Sequence, residues 1–260
     1  MKNIIKILVI VFLNFSCSNN DTDEISTVAP PNSIKKFTEK EYINGVLNIN
    51  NNREYFFNYE NSVLKYIIDG NNKTEITYDG IKVSKITYYV NNVVNSENFF
   101  TYEGNLLKTV VSDDNENKSE FAYSNGKLFE KANFTFDGTI WLPVSSETFG
   151  YDTNNNIVTI IKTTTYGSTN TSKNTYTFDT KNSPFKNMNP YLRIFVGSVG
   201  LDVKSINNRL NSFKYDTVSS NTSIPNSSFQ IIYNTNDYPV DIKQYSTINL
   251  ILTENTFEYN

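Results

Sequence analysis

Residues 100–110 read FTYEGNLLKTV. Two aromatic residues sit one apart, a glycine follows, and an apolar stretch with a lysine in it comes next. Close copies stand at 57–67 (FNYENSVLKYI), 76–86 (ITYDGIKVSKI) and 121–131 (FAYSNGKLFEK). In an extended chain, residues i and i+2 point to the same side. Phe100 and Tyr102 therefore lay two rings on one sheet face. Gly104 supplies the turn, and Leu106–Val110 starts the returning strand. The unit is a β-hairpin.

Pairs of this kind recur along the chain: Phe57/Tyr59, Ile76/Tyr78, Phe100/Tyr102, Phe121/Tyr123, Phe149/Tyr151, Tyr176/Phe178, Phe213/Tyr215, Ile231/Tyr233 and Phe257/Tyr259. Each is expected to end a strand. Their spacing varies, which fits hairpins with unequal loops and not a rigid solenoid. Turn signals stand at Asp69-Gly70, Asp79-Gly80, Glu103-Gly104, Asn125-Gly126 and Asp137-Gly138, where positive φ is tolerated. The expectation is an all-β fold: a long antiparallel β-meander of about fourteen strands, forming a curved sheet or a barrel-like shell. Strict alternation puts Lys65, Lys85 and Lys108 on the same faces as Val63, Val83 and Leu106. Neither face then suits lipid, which weighs against a membrane-spanning barrel.

One stretch, KNSPFKNMNPYLRIFVGSVGLDVKSINNRL (181–210), breaks the rhythm with Pro184, Pro190, Gly197 and Gly200. It reads as an insertion, irregular or helical near 184–200, between two parts of one sheet. A separate domain after it would be too small to hold a core of its own. Residues 37–260 are thus expected to form a single repeat-built β domain.

The pattern [FY]-x-[YF]-[DES]-x-[GN]-x-[LIV]-x-x-[IV] resembles the YD-type (RHS-like) repeat, and residues 40–260 resemble Bacteroidota lipoproteins built from it. YTFDTKNSPFKNM (176–188) and IIYNTNDYPVDIKQY (231–245) are similar to the closing part of that group. The resemblance implies a porin-like fold, since some relatives belong to a domain family of unknown function described in that way. It implies no activity. Phe178 stands where the repeat has Tyr, and positions 60, 103 and 124 lack its Asp.

At the N-terminus, MKNIIKILVIVFLNFSC (1–17) has Lys2 and Lys6 before an apolar run, Ile7–Leu13, too short to span a bilayer. Residues 1–16 read as a secretory signal peptide. They are followed by Cys17, the only cysteine. The segment resembles a bacterial lipoprotein signal, although Asn14 occupies the place usually held by Leu. The resemblance implies lipidation at Cys17 and an outer-membrane location. Residues 17–36 are polar and acidic, a flexible tether. Asp21, Asp23 and Glu24 resemble the signal that sends such lipoproteins to the cell surface; the periplasmic face is the alternative.

Composition excludes much chemistry. There is no histidine, which removes Ser-His, Cys-His and His-metal arrangements. The chain lacks GxxxxGK[ST] and GxGxxG, and GSVG (197–200) is not a nucleophile elbow. A net charge of −4 without a basic stripe argues against nucleic acid. DDNENK (113–118) and DTNNNI (152–157) match the first spacings of a calcium loop but lack its glycine and its last acid, so hairpin loops are the reading. No catalytic residue, metal site or cofactor is expected. Asparagine is abundant, through either AT-rich coding or turn formation.

Two further residues stand out. Trp141, the only indole, is a candidate ligand contact or a packing residue. Thr217, in Asp216-Thr217-Val218, resembles the O-glycosylation acceptor of secreted Bacteroidota proteins. The expected partners are the membrane, through the anchor, and a glycan or protein ligand. The functional expectation is a binding or scaffold module of the cell envelope, not an enzyme. A purely structural shell or spacer and a carboxylate-only glycan hydrolase are the alternatives.

Overall fold

The computed structural model describes residues 29–165, 169–195, 204–215, 218 and 222–260. Among them, sixteen antiparallel strands follow one another as a meander and close into a barrel. The strands are β1 (Ile34–Ile43), β2 (Val46–Glu60), β3 (Val63–Asp69), β4 (Asn72–Asp79), β5 (Lys82–Val90), β6 (Val93–Glu103), β7 (Leu106–Ser112) and β8 (Asn117–Ser124). They continue with β9 (Lys127–Phe136), β10 (Trp141–Tyr151), β11 (Ile157–Thr164), β12 (Asn170–Asn182), β13 (Asn207–Tyr215), β14 (Ser223–Tyr233), β15 (Pro239–Ser246) and β16 (Ile251–Tyr259). Among the described residues a single short helix, α1 (Leu192–Phe195), lies in the expected insertion. The expected fold is therefore present, with the sheet closed and sixteen strands in place of about fourteen. The β1–β16 pairing, from Ile34↔Tyr259 to Glu41↔Thr253, makes the seam.

Seven connections are two-residue hairpins. Their backbones need positive φ, and asparagine and glycine supply it in equal number, five residues each, with Ser62 the one other. Of the eleven non-glycine residues with positive φ among the described residues, nine are Asn, which gives the asparagine excess a structural use. Asn125-Gly126 fills its turn as the dipeptide reading implied, but at Gly70, Gly80 and Gly104 the glycine comes first in the turn and not second. Asp79 and Glu103 close their strands, and Gly80 (φ 58°) and Gly104 (φ 58°) are the first turn residues.

Odd-numbered strands leave one end of the barrel, here the plug end, and even-numbered strands return to it. At this end every repeat carries the same irregularity. Thr101 pairs with Thr109, but Tyr102 pairs with Leu107, so Lys108 is an extra residue, a bulge. The shift recurs at Asn58/Tyr59, Thr77/Tyr78, Ala122/Tyr123, Gly150/Tyr151, Thr177/Phe178 and Ile232/Tyr233. A bulge reverses the in–out alternation beyond it. Leu64 and Ile67, Val83 and Ile86, and Leu107 and Val110 are all buried although three residues apart. This corrects the strict alternation expected from sequence. Lys65 and Lys108 are bulge residues; Val83 faces in, while Lys85 faces out and pairs with Glu97 at 2.8 Å.

The bulged hairpins separate at the plug end. The β3–β4 pairing stops at Tyr66↔Glu75, and the β5–β6 pairing at Lys85↔Phe99. Carbonyls beyond those points lack a ladder partner, and buried carbonyls need one. Tyrosine hydroxyls supply it across the gap. Tyr78 donates to Leu64 O (2.8 Å), Tyr102 to Val83 O (2.9 Å), Tyr151 to Leu128 O (2.8 Å) and Tyr259 to Pro239 O (2.7 Å). Burial pushes the phenols of Tyr59, Tyr102 and Tyr151 up to about 12. The Tyr123 hydroxyl points toward the equivalent carbonyl of Leu107 but falls short of hydrogen-bond geometry.

The first members of the aromatic pairs form the next layer inward. Phe57 pairs with Ile67, Ile76 with Ile86 and Phe100 with Val110. At the seam, Phe37 stacks on Tyr55 (5.2 Å between centroids) and on Phe257 (5.0 Å). The insertion then closes the plug end. Phe185 packs edge-on against Phe37 and Phe257 at 6.5 and 6.4 Å. Farther along, Leu192 is fully buried, and Tyr191 packs edge-on against Tyr102 and donates to Asn105 O at 2.6 Å. The segment thus runs from the seam to the β6–β7 hairpin, across the barrel mouth. Phe213 and Tyr215 depart from expectation. They begin no turn of the repeat, lie on an odd-numbered strand, and alternate with buried Ser212, so they face outward.

Two outcomes follow from the bulge and the tyrosines. Lys108→Ala is expected to change stability by less than about 0.5 kcal/mol, whereas deleting Lys108 turns Val110 outward and is expected to cost more than about 3 kcal/mol; chemical denaturation measures both. Tyr102→Phe is expected to cost about 1 kcal/mol. The raised phenol values stabilise the barrel fully below the ordinary tyrosine pKa and progressively less as pH climbs from 10 toward about 12. Tyrosinate absorbance should therefore rise together with loss of near-ultraviolet dichroism; ionisation without unfolding would show that the phenols are not held in this way.

Candidate functional site

The inner wall changes character along the barrel axis. Near the plug end it is tyrosine and phenylalanine. Two to four residues farther along most strands it is polar. On β1, Glu39 and Glu41 continue the face of buried Phe37, and on β3 Asp69 continues the face of Ile67. On β2 the same face runs Tyr59, Phe57, Tyr55 and Arg53, and Arg53 pairs with Glu39 across the ladder. On β10 it runs Tyr151, Phe149 and Glu147, and Glu147 stands between Lys131 of β9 and Lys162 of β11. Water reaches this region, because Lys162 is exposed although its strand face points inward. We refer to it as the vestibule.

Its charges are sorted. Glu39, Glu41 and Asp69 cluster on β1 and β3, with Arg53 as their cation. Lys131, Lys162 and, on the inserted segment, Lys204 cluster around one acid, Glu147; Lys204 lies 3.5 Å from it. In a sixteen-strand barrel, β1–β3 and β9–β11 are half a circumference apart, so an acidic wall faces a basic one. The cost of this arrangement shows in the ionisation of its members. Burial holds the Glu39 carboxyl above its ordinary value; Arg53 opposes the shift, and Glu41 and Asp69 add to it. Burial likewise lowers Lys131, opposed by Glu147 and reinforced by Lys204 and Lys162. Neutral groups complete the wall: Asn133 bridges Ser119 (2.8 Å) and Ser145 (3.0 Å), and Asn255 donates to Thr253 at 3.3 Å.

The outer wall is different. Between the strand ends it carries ion pairs, among them Lys36–Glu54 (2.6 Å), Lys73–Glu75 (2.7 Å), Lys118–Glu120 (2.8 Å) and Glu254 with both Lys40 and Lys243 (3.2 Å each). Lysine stems also cover its aromatics, as Lys73 does over Tyr89 at 4.2 Å and Lys173 over Tyr215 at 4.4 Å.

Trp141 belongs to this outer surface. It packs on Phe136 at 5.3 Å, and Lys118 lies over both Trp141 (4.8 Å) and Phe134 (4.9 Å). The structure does not bring it near the vestibule. Cys17 and Thr217 lie outside the described residues. In the rejected calcium loop at 152–157, Asp152 accepts hydrogen bonds from the backbone of Asn154 (2.9 Å) and Asn156 (2.8 Å), so its carboxylate organises the turn. No group of three or more acidic, cysteine or histidine side chains suited to a metal occurs among the described residues.

No protein-family model and no curated protein matches the chain. Two solved structures are similar in fold. A porin-like protein from Bacteroides uniformis ATCC 8492 superposes with a TM-score of 0.57 at 12% identity, covering 90% of this chain and all of that one. A porin-like protein from Bacteroides vulgatus ATCC 8482 gives a TM-score of 0.50 at 8% identity, covering 88% of this chain and 98% of that one. The chain shares a porin-like fold with both.

Sequence reading did not find the vestibule. A usable signal existed: stepping back by two from the inward aromatic pairs leads to Glu147, Asn174 and Asn255, and stepping back by four from Phe57 leads past Tyr55 to Arg53. For Lys131 it fails, because the bulge at Phe129 displaces the count.

The raised Glu39 value fixes the sign of a further outcome. Its charged form is disfavoured in the fold, so it favours folding below the ordinary carboxylate pKa and loses that contribution as pH rises through the raised value. Glu39→Gln should therefore raise the melting temperature at neutral pH and have no such effect at the acidic limit. An equal shift at both pH values would place Glu39 in a water-like environment.

Proposed function

We propose that this chain is a lipid-anchored protein of the cell envelope whose barrel is a binding module, with the vestibule as the receptor for a hydrophilic ligand, a glycan or a segment of a partner protein. The observation that carries this reading is the sorted, water-accessible charge of the inner wall, held above an apolar floor. Such a wall opposes tight folding, as Glu39 and Lys131 show, and a purely structural shell would have no use for that cost. The ion-paired outer wall favours a barrel surrounded by water, since a lipid-spanning barrel presents an apolar band about 25 Å tall.

The anchor and the vestibule are compatible in direction. β1 starts at the plug end, so the N-terminal segment leaves there. With Cys17 acylated, the plug end is on the membrane side and the vestibule opens away from it. Surface display serves capture of external ligands; on the periplasmic face the same geometry presents the vestibule to envelope components. The reading is non-catalytic. The chain has no histidine, and the inner-wall acids lie beside cations, Glu39 near Arg53 and Glu147 near Lys204. Trp141 remains a candidate contact for a ligand approaching from outside, and Thr217 a candidate glycosylation site.

A structural spacer is the second reading, and it is favoured by the filled plug half of the barrel. The readings separate experimentally. Cys17→Ala is expected to move the protein from the membrane fraction to the soluble one; continued membrane retention would overturn the anchor. Glycan and peptide arrays probed with the full-length protein should yield a ligand whose binding weakens about tenfold in Lys162→Gln or Asp69→Asn at unchanged melting temperature. A ligand indifferent to both variants, or no ligand, supports the spacer.

A further inference from the structure

The acidic wall of the vestibule is short of hydrogen-bond donors. Glu39, Glu41 and Asp69 face one cation, Arg53, and that guanidinium is held by the Tyr55 phenol. Arg53 forms no ion pair with Glu39 or Asp69, and neither carboxylate has a hydrogen bond to another of the described residues. Glu41 differs. Asn48 donates to it at 3.1 Å, and Asn51 donates to it as well. Two acids of this wall are thus open acceptors.

A third acceptor stands beside them. Asn255 of β16 lies directly opposite Glu39 in the ladder, as Arg53 of β2 does on the other side. Side chains opposed in this way are neighbours on one face, with Cβ atoms about 5 Å apart. Asn255 is fully buried. Its Nδ2 donates to Thr253 at 3.3 Å, and the Thr253 hydroxyl donates to Gln244 Oε1 at 3.4 Å. With the amide nitrogen turned that way, the Asn255 Oδ1 is left without a donor. Buried carbonyls are ordinarily paired, so the wall lacks a donor at this point. The other inner-face neighbours on β15 and β16, Ile242, Gln244 and Thr253, carry no charge.

An ammonium supplies hydrogen-bond donors and positive charge together, and the surroundings suit one carried on a flexible alkyl stem. Toward the mouth, Ile43 and Val46 pair with each other on the face of Glu41 and are exposed. On the floor side, Tyr55 is stacked on Phe37 and gives a ring for such a stem to lie along. Lysine stems of this protein already cover outer-wall aromatics, as Lys73 does over Tyr89. An amino sugar has no stem, because its ammonium is fixed to the ring.

Resting on the vestibule as a receptor, we infer that its acidic wall takes the side-chain ammonium of a lysine from a segment of a partner protein. The ammonium lies at Glu39, with Asp69 and the Asn255 Oδ1 as the neighbouring acceptors. Ile43 and Val46 contact the apolar residues that flank the lysine. Binding then moves a proton. Burial holds the Glu39 carboxyl of the empty wall above its ordinary value; Arg53 opposes the shift, and Glu41 and Asp69 add to it. An ammonium beside Glu39 favours the charged form, so a neutral Glu39 releases its proton to water as the cation enters. Affinity is expected to fall as pH drops through the Glu39 titration.

The test is calorimetry on the full-length protein with the peptide Val-Lys-Val, acetylated and amidated at its ends so that the lysine is its one charge. The same peptide with Nε-acetyl-lysine, and glucosamine, are the comparisons. Saturable binding of the lysine peptide is expected, weakened about tenfold or more by acetylation of the lysine and by Glu39→Gln or Asp69→Asn in the protein. At weakly acidic pH the binding heats in two buffers of unequal ionisation enthalpy should differ, which reports proton release, and Glu39→Gln should abolish the difference. Equal binding of the acetylated peptide, equal heats in the two buffers, binding untouched by both variants, or no saturable binding would each overturn the inference. Glucosamine binding more tightly than the peptide would give the wall to an amino sugar and overturn it too. Lys162→Gln, on the opposite wall, should change the affinity for the lysine peptide by less than about twofold. A ligand from the arrays that depends on Lys162, with no binding of the lysine peptide, would overturn the lysine and leave the vestibule a receptor, so the two failures are distinguishable.

Discussion

The barrel depends on hydrogen bonds from tyrosine hydroxyls to carbonyls that the sheet itself leaves open. A bulge after each plug-end turn twists the hairpin and ends its pairing with the next one early. Backbone carbonyls such as Leu64 O and Val83 O are then buried without a ladder partner. The phenols of Tyr78 and Tyr102 reach across from the following hairpin and satisfy them. One side chain thereby fills the space opened by the twist and meets the polar demand created by it. The tyrosine rings also provide the apolar lining on which the inserted segment rests.

That segment sets the axial asymmetry. Phe185 is held by the seam aromatics, and Leu192 and Tyr191 by the opposite wall, so the plug end is closed by apolar packing. Beyond the phenylalanine layer no further apolar segment enters among the described residues, and the inner wall can carry charge in contact with water. The vestibule is thus a consequence of where apolar filling stops.

The outer wall illustrates why face assignment from sequence was difficult. Its lysines and glutamates look, in a period of two, as though they alternate with nothing consistent. With one residue removed from the count at each bulge, Lys85 and Glu97 fall on one face and Val83, Ile86 and Phe100 on the other. The repeat's own apolar spacing of three, as in Leu107 and Val110, was the visible trace of the bulge. The pair Phe213/Tyr215 shows the converse error. It has the repeat's letters but lies on a strand running the other way, where nothing in the local pattern distinguishes inner from outer.

The amino-acid order by itself determined the hairpin unit, the antiparallel meander and the position of the interruption, because turns, aromatic pairs and β-branched strands act over a few residues. It also carried the lipoprotein-like start and the absence of histidine chemistry. Closure of the sheet, the identity of the plug and the opposition of acidic and basic walls were decided only in the tertiary structure. Those features join residues such as Ile34 and Tyr259, or Glu39 and Lys162, that are far apart in the chain. Their meeting depends on the accumulated twists of sixteen strands and on the bulges along them, and no local stretch encodes that sum.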